Sequence, residues 1–242
     1  MSYLFKQIIM KITFQYTVLF VFCAAAASCK KDNYKEPSST LSGRVVYKGE
    51  AIGVENYQVP YQLYQYGFGK SGSIDGSFAQ DGSYSALLFN GDYKLIIPNG
   101  QGPFKWKQLV SGAPDSTTVT MNGNQTLDLE VTPYYMIRTP VLTGAAGKVS
   151  ATFKAEKIIT DAANAKDIER VSLYINNTQF VSGANNIASA DKGGAAITDP
   201  NNITLSVTVP GTGSQTYVFA RIGLKIAGVE DLIFSPVTKI SF

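Results

Sequence analysis

The residue types that most often perform catalysis are scarce in this chain of 242 residues. It contains no histidine and only two cysteines, Cys23 and Cys29. Ser-His-Asp and Cys-His arrangements depend on an imidazole, and zinc sites are commonly built from imidazole and thiolate. The composition therefore excludes most hydrolase mechanisms and the usual zinc centres.

Carboxylates are the remaining candidates for acid–base or metal chemistry. A glycosidase needs two carboxyl groups about 5 to 9 Å apart, and calcium takes oxygen ligands. The acidic residues in question are Asp75, Asp81, Asp92, Asp115 and Glu130. Asp75-Gly76 and Asp81-Gly82 are typical turn dipeptides, and the alternating Asp spacing of a calcium loop is missing. We predict a non-enzyme with no catalytic residue, metal or cofactor, while a carboxylate pair brought together by the fold stays an open alternative.

Aromatic residues favour a binding function. Sugar rings can stack on aromatic side chains, and a Trp or Tyr with one polar end suits such a site. Aromatics are concentrated between Tyr57 and Phe68, and again at Phe104 and Trp106. The predicted glycan contacts are Trp106, Phe104, Tyr66, Tyr64 and Phe68, with Asn99 and Gln101 as hydrogen-bond partners. The alternative is that Trp106 packs under a loop and that some of the tyrosines belong to the core.

The N-terminus has the layout of a secretory signal peptide. Lys6 and Lys11 accompany an apolar run that extends from Ile12 to Ala27, which is typical of an export signal and short for a permanent membrane span. The following Ala26-Ala27-Ser28-Cys29 is similar to the lipobox at which bacteria attach diacylglycerol to a cysteine thiol. We expect residues 1–28 to be a signal peptide and Cys29 to become the lipidated N-terminus, anchored to a membrane. An ordinary signal peptide with a chance cysteine is the alternative.

The charge of the expected mature chain is close to balanced. Without the two lysines of residues 1–28, 19 basic residues face 18 acidic ones. Proteins that bind nucleic acids neutralise phosphates with clustered Lys and Arg, and no such cluster is evident. Nucleic acid is therefore an unfavourable partner.

Short runs of β-branched and aromatic residues separated by Gly, Asn, Asp and Pro predict an all-β protein. The predicted strands of the first half are Leu41–Tyr47, Val59–Tyr66, Ser83–Phe89, Tyr93–Ile97, Phe104–Val110 and Thr126–Val131. Those of the second half are Tyr134–Arg138, Val149–Ala155, Arg170–Ile175, Ile203–Val209, Thr216–Ile226 and Val237–Phe242. Apolar residues recur at nearly every second position in several of these runs, which predicts two-layer sandwiches.

Breaks in this pattern predict the domain organisation. Residues 29–40 are polar and aperiodic, as in a tether, and Pro133 interrupts the strand pattern. We therefore expect a tether at 29–40 and two β-sandwich domains at 41–132 and 133–242. The polar stretches Thr160–Asp167 and Ser182–Asn202 are predicted to be exposed loops, with a possible helical turn near Ala162–Ile168.

Two stretches carry a resemblance to a known fold. Leu41–Tyr47 supplies an opening Gly-x-Val strand, and Asp81–Leu95 supplies an Asp-Gly-x-Tyr hairpin followed by Gly-x-Tyr-x-Leu. The matching positions are Gly43, Asp81, Gly82, Tyr84, Gly91, Tyr93 and Leu95. The pattern resembles the carboxypeptidase-regulatory-like, transthyretin-like sandwich. With Cys29 and a second β-domain, the chain is similar to uncharacterised Bacteroidetes-type surface lipoproteins whose C-terminal half is immunoglobulin-like.

That resemblance implies a cellular location and partner proteins but no reaction, because the family brings no catalytic residues. It implies a protein anchored in the outer membrane, at the cell surface, beside the transporter and glycan-binding lipoprotein of a polysaccharide-utilisation system. The leading hypothesis is a non-catalytic lipoprotein that binds or presents glycan to such an uptake complex. The alternative is a structural or assembly module that contacts partner proteins of the cell envelope and binds no sugar.

Overall fold

The computed structural model describes residues 35–67, 72–211 and 215–241. The predicted signal peptide, the lipidation site Cys29 and the aromatic Phe68 lie outside the described residues. Within them the regular structure is β-strand apart from one short 3-10 turn, Gly194–Ala196, so the prediction of an all-β protein is confirmed. None of the helices in this part of the chain is long and apolar enough to cross a membrane.

Nineteen strands are present in the described residues. The strands of the first half are β1 Ser39–Tyr47, β2 Glu50–Ala51, β3 Pro60–Gln65, β4 Ile74–Ser77, β5 Ser83–Leu88, β6 Gly91–Ile96, β7 Phe104–Lys105, β8 Thr117–Met121, β9 Gln125–Thr126, β10 Leu129–Glu130 and β11 Thr132–Pro133. The strands of the second half are β12 Tyr135–Ala145, β13 Lys148–Lys157, β14 Ile168–Asn176, β15 Ala188–Gly193, β16 Ile203–Thr208, β17 Tyr217–Ile226, β18 Leu232–Phe234 and β19 Thr238–Ser241.

The first domain is built from two sheets that share a core. One sheet is centred on β1, which pairs with β2, β5, β9 and β10, and the other has the order β4-β3-β6-β8. Three aromatic rings fill part of the space between the sheets. The centre of the Tyr61 ring lies 5.3 Å from that of Phe78 and 5.0 Å from that of Tyr84. Contacts between aromatic rings at such separations stabilise a core beyond simple burial.

Gly43 explains one feature of the sequence pattern in this sheet. A Cβ atom at position 43 would lie 1.9 Å from the backbone oxygen of Leu127. That same oxygen accepts a hydrogen bond of 2.8 Å from the Tyr84 hydroxyl. Only glycine allows the backbone to approach this closely, so Gly43 and Tyr84 together fix β1 against the segment that leads to β10.

The second domain is also a pair of sheets. One has the order β12-β13-β16, and the other has the order β15-β14-β17-β18, with β19 also pairing with β17. Alternate residues of β13 and β16, such as Phe153 and Ile203, point into the core, whereas most of β14 and β17 is buried. Consecutive residues of β14 and β17 are buried, so both faces of these strands are covered.

The two domains are joined by backbone and side-chain contacts. Strand β7 of the first domain pairs with β11, and Gly53 forms an isolated bridge with Phe234 of the second domain. Arg138 at the start of the second domain forms ion pairs with Glu50 and Glu156. The chain from Pro37 onwards is accordingly one compact unit.

Several predicted elements differ from the observed ones. The predicted strand Phe104–Val110 is reduced to Phe104–Lys105, because the chain then turns back in a loop closed by Leu109 and Ala113. Strand β15 lies inside the predicted loop Ser182–Asn202, where Ala, Ser, Asp and Gly give little strand propensity but β14 supplies a pairing edge. The helical turn expected near Ala162–Ile168 is limited to one turn that begins at Asp161, where the Ala165 backbone N–H donates to the Asp161 carbonyl at 2.8 Å.

Candidate functional site

Four of the predicted contact residues lie at one cleft between the domains, which we call the interdomain cleft. It has a volume of about 400 Å³. The first domain contributes Asn99, Gln101, Phe104, Lys105, Trp106 and Gln108, and the second contributes Tyr134, Lys166, Val229 and Glu230. The cleft thus combines aromatic, amide and charged side chains.

Trp106 forms part of the cleft wall rather than an exposed platform. Its side chain is only 7% exposed, and its indole nitrogen donates a hydrogen bond of 2.6 Å to the Asp115 carbonyl. Phe104 is also buried, with its ring against the backbone of Gly102. The burial of these two rings favours the alternative, in which Trp106 packs under a loop, over an exposed stacking surface, and a glycan contact at their exposed parts stays a prediction.

The predicted amide partners are better placed. Asn99 is exposed, and its amide group donates to the Gly112 carbonyl at 2.7 Å while its oxygen accepts from Gln108 at 2.9 Å. Gln101 is half-buried, with its backbone N–H donating to the Pro98 carbonyl. The short loop between β6 and β7 therefore holds both amides at the rim of the cleft.

The second domain supplies the residues that the sequence prediction missed. Lys166 donates to the Gly228 carbonyl at 3.1 Å, and its ammonium lies 5.8 Å from the centre of the Tyr134 ring. Asp231 accepts a hydrogen bond of 2.8 Å from the backbone N–H of Gly102, and burial raises the pKa of its carboxyl group. Lys166 and Asp231 are more than fifty residues away along the chain from the first-domain residues of the cleft. No local sequence pattern therefore identifies them.

Tyr64 and Tyr66 lie on a different surface. Both are exposed, and neither lines the interdomain cleft. Tyr64 lies in β3, which belongs to the sheet β4-β3-β6-β8, and Tyr66 follows that strand. The Tyr64 hydroxyl donates to the Gln62 side chain at 2.9 Å, and Lys94 lies 5.4 Å from the Tyr66 ring centre. The structure therefore does not join these tyrosines and Trp106 into one binding surface.

The carboxylates considered for catalysis each accept a hydrogen bond from a neighbouring side chain or backbone group. Asp75 accepts from Ser73, Asp81 from Ser83, Asp92 from Thr120, Asp115 from the backbone of Ser116, and Glu130 from the backbone of Lys48. In the described ranges no three or more His, Cys, Asp or Glu side chains are grouped so as to hold a metal ion. None of these five carboxylates lines the interdomain cleft.

The fold and cleft define an all-β protein of two domains. Two family models match it: the N-terminal domain of a protein of unknown function, DUF3823, over residues 39–132, and a C-terminal domain of unknown function, DUF3823_C, over residues 135–239. Comparison with curated proteins finds no match.

Solved structures show the same family. A DUF3823 family protein from Parabacteroides merdae is 33% identical, with 86% of this chain and 100% of that chain covered and a TM-score of 0.74. A second, from Bacteroides ovatus, is 29% identical, with 84% and 99% covered and a TM-score of 0.73. The chain therefore belongs to the DUF3823 family, and the predicted two-domain all-β architecture is confirmed.

A further neighbour comes from Bacteroides uniformis and is provisionally described as a carbohydrate binding protein. It is 18% identical, with 85% of this chain and 100% of that chain covered and a TM-score of 0.67. At this identity the likeness shows a shared fold. The narrower assignments of the two domains as transthyretin-like and immunoglobulin-like stay predictions.

Proposed function

We propose that this protein is a non-catalytic glycan-binding lipoprotein of the bacterial cell surface, and that it contacts glycan at the interdomain cleft. The observation that carries the proposal is the composition of the cleft. Asn99, Gln101 and Gln108 line the cleft together with Trp106 and Tyr134. Amides pair with sugar hydroxyls, and aromatic surfaces accept apolar sugar faces.

The dimensions of the cleft support a small polar ligand. Its volume of about 400 Å³ lies in the range of about 300–1,000 Å³ typical of ligand sites, which also tend to form at domain interfaces. The provisional carbohydrate-binding description of the Bacteroides uniformis neighbour supports the same ligand class. One or two sugar units of a longer chain would fit, with the rest of the glycan outside.

The anchoring and the setting are parts of the same proposal. The lipobox-like Ala26-Ala27-Ser28-Cys29 supports lipidation of Cys29 and attachment to the outer membrane. The resemblance to surface lipoproteins supports a place beside an outer-membrane transporter in polysaccharide utilisation. Glycan held at the cleft would then be presented to the uptake complex.

Intrinsic fluorescence offers a direct test, because Trp106 is the single tryptophan of the chain and lies in the cleft wall. The mature protein is titrated with plant, host and microbial polysaccharides. We expect one of them to shift the Trp106 emission. Gln101→Ala is expected to weaken that binding by about 1 kcal/mol, the net worth of a hydrogen bond, while the exposed Tyr66→Ala leaves it unchanged.

Absence of any fluorescence change or binding heat across the panel would reject the glycan proposal. Equal weakening by Tyr66→Ala would move the contact from the cleft to the outer sheet. These results are distinguishable because Tyr66 does not line the cleft.

The anchor is tested separately in cells. We expect the wild-type protein to take up a labelled fatty acid and to be digested when intact cells are treated with protease. Cys29→Ser is expected to lose the label and to appear in the soluble fraction. A labelled protein that resists the protease would place the anchor on the inner face of the outer membrane.

Exposed aliphatic residues favour the assembly module as a second candidate function. Leu109 and Val110 project from the loop after Trp106, where exposed apolar side chains often mark protein contacts. Under this alternative, Leu109→Ser with Val110→Ser would abolish co-purification of an envelope partner. Unchanged co-purification would count against it.

A further inference from the structure

A second cavity lies elsewhere on the boundary between the domains, and we call it the Arg221 cavity. Its volume is about 310 Å³. Its walls include Glu55, Gln58 and Gln80 from the first domain and Phe180, Asn185 and Arg221 from the second. None of these residues lines the interdomain cleft, so the two cavities are built from separate side chains.

Arg221 is the most unusual group in this cavity, because it is a charged side chain with only 1% of its surface exposed. Its Nε donates to the Ser235 carbonyl at 2.9 Å, and its Nη2 donates to the Gln80 carbonyl. The guanidinium carbon lies 4.2 Å from the centre of the Phe234 ring. These contacts hold the guanidinium in one orientation at the domain boundary.

The hydrogen-bonding capacity of Arg221 is nevertheless incomplete. Within the described residues its buried Nη1 has no hydrogen-bond partner, and the side chain forms no ion pair there. Burial lowers the pKa of the guanidinium to about 10, while the charge of Glu55 acts to raise it. A buried donor without an acceptor destabilises a folded protein and is uncommon. A ligand that offers an acceptor to Nη1 would supply the hydrogen bond that the described residues do not provide.

Glu55 determines which acceptor is suitable. It lines the same cavity as Arg221, so an incoming carboxylate would meet one cation and one anion. A hydroxyl group is different, since it accepts from a guanidinium and donates to a carboxylate at the same time. The Arg221 cavity is therefore better matched to a neutral hydroxylated ligand than to an acidic one.

Phe180 provides an apolar surface beside these polar groups. Its side chain is 45% exposed, and its carbonyl accepts a hydrogen bond of 2.8 Å from the amide of the buried Asn176. The same amide also donates to the backbone and side-chain oxygens of Asn185, at 3.2 and 3.0 Å. The loop that carries Phe180 is thus fixed before any ligand arrives, which lowers the entropic cost of binding.

We infer that the Arg221 cavity binds one unit of a neutral sugar, with a hydroxyl between Arg221 and Glu55 and the apolar face of the ring against Phe180. The inference rests on the proposed glycan-binding function and adds a second contact with a stated sugar class. A long neutral polysaccharide could occupy both cavities through different sugar units. Binding at one cavity would then raise the effective concentration of the glycan at the other, which increases the overall avidity.

Calorimetry on the mature lipoprotein tests this inference, using a detergent without a sugar headgroup. The neutral probes are laminarin, mannan and xyloglucan, and the acidic probe is polygalacturonate. We expect a neutral probe to bind. Phe180→Ala should weaken that binding about tenfold, the effect of losing a stacked aromatic. Glu55→Gln should weaken it about fivefold, the effect of losing a hydrogen bond. Both side chains reach solvent, so neither substitution should prevent folding.

Matched controls separate this inference from the proposed function. Tyr66→Ala removes an exposed aromatic outside both cavities, and Gln101→Ala reports on the interdomain cleft. If Phe180→Ala and Glu55→Gln leave a neutral probe unaffected while Gln101→Ala weakens it, the second site is rejected and the proposed function stands. Binding of polygalacturonate alone would overturn the neutral-sugar assignment, and no binding by any probe would overturn both.

Discussion

Trp106 is a packing residue in the wall of the proposed glycan site. Its ring is buried under the loop that follows it, and its indole N–H is satisfied by the Asp115 carbonyl. Only a limited part of the ring contributes to the interdomain cleft. Removal of the whole side chain would therefore act first on the fold.

We expect Trp106→Ala to reduce the free energy of unfolding by about 3–5 kcal/mol, because a large buried aromatic leaves both a transfer cost and a cavity. Urea denaturation followed by circular dichroism measures the change. Tyr66→Ala, which removes a side chain 64% exposed, should change the stability by about 0.5 kcal/mol or less. Unchanged stability in Trp106→Ala would show that the ring acts in recognition alone.

At the scale of elements, the loop between β14 and β15 depends on one buried amide. Asn176 ends β14 and donates to the carbonyls of Phe180 and Asn185. Its own oxygen accepts from the backbone N–H of Asn177. A single side chain thereby ties two points of the exposed loop, Phe180 and Asn185, to the end of β14.

Asn176→Ala is expected to destabilise the protein by about 1–3 kcal/mol, since it removes the amide that donates to the Phe180 and Asn185 carbonyls and each such hydrogen bond contributes about 1 kcal/mol. Hydrogen–deuterium exchange should show faster exchange in residues 177–186 than elsewhere. Asn201→Ala, in an exposed turn capped by Asp199, is the matched control and should exchange like the wild type. Uniform exchange across the variant would mean that the loop is held by other contacts.

At the scale of the whole molecule, ion pairs and backbone bridges couple the two domains. Arg138 of the second domain contacts Glu50 of the first and Glu156 of its own sheet. The hydrogen bond from Arg138 holds the pKa of the Glu156 carboxyl below its ordinary value of 4.5. A carboxyl group with a lowered pKa in the folded state stabilises the fold at higher pH and loses that contribution as pH falls through the folded pKa.

Glu156→Gln should therefore be less stable than the wild type at pH 7, because the amide resembles the protonated acid. The difference in urea midpoint should shrink below pH 4.5 and disappear once the wild-type carboxyl is protonated in the folded protein. The effect should be small, since Glu156 is partly exposed. Glu230→Gln, at a carboxylate with no ion pair in the described residues, is the control. A difference that persists at low pH would contradict this account.

The bridge between Gly53 and Phe234 provides a second test at this scale. A Cβ atom at position 53 would lie 2.6 Å from the Phe234 backbone oxygen. Gly53→Ala is therefore expected to cost about 1–3 kcal/mol and to separate the calorimetric unfolding of the domains into two transitions. Gly49→Ala, at a position with open space around it but a positive φ of 78°, should lower stability without splitting the transition.

The all-β class and most of the core strands were predictable from the amino-acid pattern. Alternation in Tyr84–Leu88 and Tyr93–Ile97 predicts which side chains face inward, because the side-chain period of a strand is two, and Tyr84, Leu88, Tyr93 and Leu95 are buried as that pattern requires. Strand β15 was not predicted because its Ala, Ser, Asp and Gly residues form no hydrophobic run, and β18 was not predicted because its apolar run, Leu232–Phe234, is only three residues long. Their existence depends on β14 and β17.

The two candidate sites were not predictable from the amino-acid pattern, because each is built from residues that are distant along the chain. The sequence identifies Trp106, Asn99 and Gln101 as one cluster because they are close along the chain. It does not show that Lys166 and Glu230 complete their cleft, or that Arg221 meets Gln80 across 141 residues. Which aromatic rings are covered and which stay exposed also follows from how the loops fold back. Local patterns record the period of a strand, whereas a cavity between domains depends on contacts that no local pattern contains.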